Sequence, residues 1–109
     1  IHIKGPDEPA HDGDFNNKKQ SIEDIDKFFF ANLIPKINLD DFIVTVTADH
    51  STVCKVRAHT ADPVPILFCG GKISPDGKSA FSEAQARTGS IGEILGRDIM
   101  GMLVKFARE

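Results

Sequence analysis

Cysteine is scarce in this chain, with two in 109 residues, and basic charge is not in excess: 13 Lys and Arg stand against 16 Asp and Glu, for a net charge of -3. Cys54 and Cys69 fit neither a C-x-x-C motif nor a disulfide framework, which points to a reducing, cytoplasmic setting. The dispersed basic residues give no footprint for nucleic acid or for a membrane surface. No segment is long and apolar enough to span a bilayer. There is no initiator Met and no signal peptide ahead of Ile1-His2-Ile3-Lys4, which reads as a strand. The expectation is therefore a fragment, residues 1–109 forming one domain's worth of chain whose amino-terminal part, with neighbouring strands, lies elsewhere. With 40% hydrophobic and 27% charged residues, the composition is that of a globular domain.

What the chain does have is an ordered alternation of elements. Gly5-Pro6 ends the first strand and opens a polar loop, in which one helical turn from Pro9 would bring Asp7 and His11, four apart, to one side. From about Asn17 to Ile37, Ile22, Ile25, Phe28, Phe29, Leu33 and Ile34 recur at helical spacing, and Pro35 should end or kink that helix. A β-branched strand, Ile43-Val44-Thr45-Val46-Thr47, follows, and a second runs over Val64 to Cys69 until Gly70-Gly71 stops it. Short helical stretches are expected at Ser82–Arg87 and from Ile99 through Phe106. Strands alternating with helices predict an α/β fold with a mainly parallel sheet.

The stretch Ile43 to Pro65 concentrates chemistry. Asp49 and His50 follow the first of its strands, where α/β sheets place their sites, and His59 comes nine residues later. Together with Asp7 and His11 they make five candidate ligands after predicted strands. Imidazole and carboxylate suit zinc or manganese, and a mixed set with open positions is typical of catalytic sites. Five ligands exceed one tetrahedral ion, so two ions a few Å apart, clamping a phosphoryl group, use them better. Taken singly, His11 or His59 reads as a hydrogen-bonded structural histidine, and Asp12, Asp14 and Glu8 as solvated turn residues; the joint pattern is what argues for metal.

Rival motifs fail on spacing. Aligning Gly13 with the glycine of an EF-hand puts Ala10 and Lys19 where acidic ligands belong, and Gly71-Lys72 lacks the first glycine and the hydroxyl of a phosphate-binding loop. Ser51 and Thr52 lack an activating arrangement for a nucleophile, and turn or supporting roles suit them better. Lys4 and Arg57 could meet an anionic substrate, against the simpler reading of surface charge.

The segments Lys4–Asp14, Ala48–Thr52 and Ala58–Pro65, in this order and spacing, resemble the carboxy-terminal part of cofactor-independent (2,3-bisphosphoglycerate-independent) phosphoglycerate mutases of the archaeal type, in the alkaline phosphatase superfamily. The resemblance reaches Phe81-Ser82-Glu83 and the last helix. It implies part of a three-layer α/β fold and an isomerase that interconverts 2- and 3-phosphoglycerate in glycolysis and gluconeogenesis, through a phosphoserine. It also implies two divalent ions (manganese, zinc or cobalt) and no organic cofactor. By this resemblance Asp7, His11 and His59 hold one ion and Asp49 and His50 the other. The nucleophilic serine, an amino-terminal Asp and the substrate-orienting insertion domain of the family have no counterpart in these residues. The expected partners are thus phosphoglycerate and the remaining amino-terminal part of the enzyme, and the isolated fragment is expected to be inactive. Two alternatives remain open: another phosphatase or phosphomutase of the superfamily, or a non-catalytic metal-binding domain.

Overall fold

The computed structural model describes residues 1–109, and they form two compact units: Ile1–Ile37 with His50–Asp62, and Asn38–Asp49 with Pro63–Glu109.

In the first unit, α1 (Asp7–His11) follows Pro6. Both prolines fall where a helix has no use for an N–H, before the first turn and within it, so the helix forms in spite of them. Gly13, at φ +75°, ends it in the left-handed conformation, its N–H donating to the Ala10 carbonyl at 3.1 Å. Asp14 then caps α2 (Phe15–Asp24), its carboxylate accepting from the backbone N–H of Asn17 at 3.0 Å. The helix continues without a break through a π-helical stretch (Ile25–Phe30), α3 (Ala31–Leu33) and a 3₁₀ turn (Ile34–Lys36). Its inner stripe is Ile25, Phe29, Phe30 and Leu33, all half-buried, whereas Ile22 and Phe28 face solvent. The expected helix over 17–37 is thus present, with Pro35 inside its terminal 3₁₀ turn.

The same unit holds an antiparallel hairpin where a loop is expected from the sequence: β2 (Ser51–Val53) and β3 (Ala58–Thr60), with Thr52 directly opposite His59. Its turn closes through the N–H groups of Val56 and Arg57, both donating to the Val53 carbonyl. Ala10 has no exposed surface at all, because α1 packs against β2 and a methyl group is what that approach admits.

In the second unit, β1 (Ile43–Thr47) pairs antiparallel with β4 (Ile66–Gly70), from Ile43 opposite Gly70 to Thr47 opposite Ile66. Phe68, almost fully buried, meets the ring of Phe106 edge-on at 5.3 Å. Phe106 comes from α5 (Ile99–Arg108), whose half-buried positions Ile99, Met102, Leu103 and Phe106 keep i, i+3, i+4, i+7 spacing. The short α4 (Glu83–Ala86) is capped by the Ser82 hydroxyl.

The α/β class expected from the sequence holds. Within these residues, however, both strand pairings are antiparallel, not parallel, because β1 and β4 return on one another and β2 and β3 close through a four-residue turn. Ile1–Lys4 is also not a strand: a strand needs a partner to complete its hydrogen-bond ladder, and none pairs with it.

Candidate metal centre

Three segments of the first unit converge. One turn of α1 separates Asp7 from His11 and stacks them on one face. The hairpin register sets His59 across from Thr52, and cross-strand partners share a face, so both point toward α1. His50 enters directly before β2.

The donor atoms lie close together. Asp7 Oδ1 is 3.4 Å from His11 Nε2 and 3.6 Å from His59 Nε2, and the two imidazole nitrogens are 3.1 Å apart. This is a nearly equilateral triangle of one oxygen and two nitrogens. A tetrahedral ion with bonds of roughly 2.0–2.1 Å spaces its donors about 3.3 Å apart, so the triangle has the size of one face of such a site. The His50 ring stacks on His59 at 3.6 Å between centroids, and Asp7, His50 and His59 each offer a ligand atom within 4.8 Å of the others. Two overlapping sets of donors thus share Asp7 and His59.

The surrounding hydrogen bonds orient these donors. The Nδ1–H of His11 donates to the Arg57 carbonyl at 3.2 Å, which leaves Nε2 as the unprotonated nitrogen facing Asp7 and His59. Arg57 is the only non-glycine residue with positive φ, at +53°, and it is the last residue of the hairpin turn. The Thr52 hydroxyl, 5% exposed, donates to Asp7 Oδ1 at 2.8 Å and also lies 3.1 Å from His50 Nδ1. That hydroxyl is the first cause holding the Asp7 carboxyl below its usual range, and His11, His59 and His50 pull in the same direction. An ionised Asp7 is the form that can bind a cation. Lys18, on α2, fastens β2 by donating to the Thr52 carbonyl at 2.5 Å.

Of the five residues singled out in the sequence, Asp7, His11, His50 and His59 are brought together. Asp49 belongs to the second unit, exposed beyond the end of β1. The Arg57 carbonyl, the Lys18 ammonium and the capping role of Asp14 are not expected from the sequence. Only the last carried a signal, an Asp immediately ahead of a helical stretch.

The Metalloenzyme superfamily model matches residues 1–106. The chain is 38% identical over 104 residues to a 2,3-bisphosphoglycerate-independent phosphoglycerate mutase of Thermococcus gammatolerans, a match that covers 95% of this chain and 25% of that protein. A protein of the same description from Aeropyrum pernix is 45% identical over 100 residues, covering 88% and 23% of the two chains. This chain therefore spans about a quarter of the length of these curated relatives. Among solved structures, that of the PH0037 protein from Pyrococcus horikoshii aligns with a TM-score of 0.94 at 33% identity, covering 98% of this chain and 32% of the other.

Proposed function

The chain belongs to the Metalloenzyme superfamily, and from that premise we propose that it is the carboxy-terminal, metal-binding part of a cofactor-independent phosphoglycerate mutase. Membership implies dependence on divalent metal, which agrees with a donor set of carboxylate and imidazole. The observation that carries the reading is the triangle of Asp7 Oδ1, His11 Nε2 and His59 Nε2, with edges of 3.1 to 3.6 Å, in a chain whose relatives bear the mutase name.

In this reading Asp7, His11 and His59 hold one ion, while His50 and Asp49 contribute to a second, completed by residues of the remaining amino-terminal part. When bound, manganese, zinc or cobalt supplies positive charge that neutralises a phosphoryl group and lowers the pKa of an attacking hydroxyl. The chain's own residues prepare for that charge. Asp7 stays ionised under the Thr52 hydroxyl, and His11 is held in the tautomer that presents Nε2. The substrate is phosphoglycerate, interconverted between its 2- and 3-phospho forms, and the compartment is the cytoplasm. No helix is long and apolar enough to cross a membrane.

Calorimetric titration of the protein with manganese and with zinc, beside its His59→Ala variant, tests the reading. Uptake that His59→Ala abolishes, together with phosphoglycerate isomerisation by the protein bearing its amino-terminal part, is the expected result. Uptake indifferent to His59 refutes the metal assignment. Turnover of other phosphate esters with none of phosphoglycerate refutes the mutase.

A further inference from the structure

Thr52 is the most buried polar residue of the chain, and its hydroxyl lies against two candidate ligands at once, Asp7 and His50. The hydroxyl has a single proton. Its 2.8 Å partner, the Asp7 carboxylate, has none to give, so that proton points to Asp7 Oδ1. Toward His50 Nδ1, 3.1 Å away, the oxygen can then only accept. A neutral His50 must carry its proton on Nδ1, which leaves Nε2 as its basic nitrogen.

We propose that Thr52 is a positioning residue that joins the two donor groups, its hydroxyl relaying His50 Nδ1–H to Asp7 Oδ1 and so fixing the tautomer of one and the direction of the other. The role rests on the metal-centre reading of the site. Three features hold the relay still. Thr52 is β-branched on a strand, which restricts its χ1. Its carbonyl is bonded by Lys18, and its neighbour across the ladder is His59. The relay parallels the bond from His11 Nδ1–H to the Arg57 carbonyl, so two imidazoles are fixed in the same Nδ1–H form by two unrelated acceptors. Supporting bonds of this kind typically set metal affinity within a factor of 10–100.

The test compares the protein with its Thr52→Val and Thr52→Ser variants, with ¹⁵N-labelled histidine, in neutral to alkaline buffer. Ring-nitrogen shifts of the metal-free protein should show His50 as the Nδ1–H tautomer. Thr52→Val keeps the shape and the strand residue but removes the relay. It should shift His50 toward the other tautomer and weaken zinc and manganese binding by about 10- to 100-fold. Thr52→Ser should restore both. A merely structural role would move neither the tautomer nor the affinity in this pattern. Finding His50 as Nε2–H in the unsubstituted protein overturns the proposal, as does unchanged tautomer and affinity in Thr52→Val. Should the valine variant not fold, the unsubstituted protein must still show Nδ1–H and the serine variant must retain it. If the unsubstituted protein takes up no ion, the metal reading fails, and the tautomer comparison still decides the relay.

Discussion

Alanine at position 70 should be among the most damaging small substitutions in this chain. Gly70 ends β4 opposite Ile43, with φ +106°, a backbone state that L side chains rarely adopt. A Cβ built there would lie 2.0 Å from the Phe42 carbonyl oxygen and 2.9 Å from that of Leu39. Both obstacles are backbone, so no side-chain rotation relieves them. The Leu39 carbonyl is also engaged, accepting from Gly71 N–H at 2.7 Å. Backbone strain of about 1–3 kcal/mol and the loss of that hydrogen bond, about 1 kcal/mol, sum to roughly 3 kcal/mol. Gly77 provides the control. It too has positive φ, +78°, but nothing lies within 4 Å of a Cβ there, so Gly77→Ala should cost only the conformational part, about 1–2 kcal/mol. Urea unfolding reads the difference: with a slope of about 1–1.5 kcal/mol per M, Gly70→Ala should lower the midpoint by about 2 M or more and Gly77→Ala by about 1 M. Equal shifts for the two variants would mean that the clash at Gly70 is absent and that backbone conformation alone accounts for the loss.

Two further outcomes follow from groups outside the metal centre. Thr45 Oγ1, on β1, is buried without a hydrogen-bond partner, so Thr45→Val should stabilise the protein by about 1–2 kcal/mol, seen as a higher urea midpoint; a loss would show that the hydroxyl is in fact satisfied. The Asp76 carboxylate accepts from the backbone N–H of Ser90 and of Lys78, and these bonds, with the charge of Lys78, hold its pKa below the ordinary value. Its folded pKa being the lower one, its contribution is complete above the unfolded value and is lost as pH falls through the folded value. Asp76→Asn should therefore flatten the acid limb of a stability-against-pH series, and an unaltered limb would remove Asp76 from the account.

Much of this was legible in the sequence where local chemistry decides the structure. Asp7 and His11 meet because residues four apart on a helix share a face, and Ile99, Met102, Leu103 and Phe106 turn inward for the same periodic reason. Pairing was less legible. A run of β-branched residues marks β1 without stating which strand it joins or in which direction, so β4 returning antiparallel had no local signal. The β2–β3 hairpin escaped because three-residue strands are too short for alternation to show. Thr52 suited a turn or a supporting role without naming what it would support, since its partner Asp7 lies 45 positions away and is met where α1, through the fully buried Ala10, packs on β2. Arg57 gave no hint of its left-handed backbone, which neither glycine nor asparagine announced.

The π-helical stretch at Ile25–Phe30 bears on how this chain tolerates genetic change. A π-turn holds one residue more than the α-helical turn it replaces, a surplus that lies between the capped start at Asp14 and the proline-bearing end. A one-codon deletion between Asp26 and Phe30 could be absorbed by reverting to α-geometry, with no helix broken. A one-codon deletion inside α2 has no such surplus to draw on and would rotate everything after it by about 100°. The six residues thus act as slack in the reading of the helix, and length variants should survive there more often than at any other point between Phe15 and Leu33.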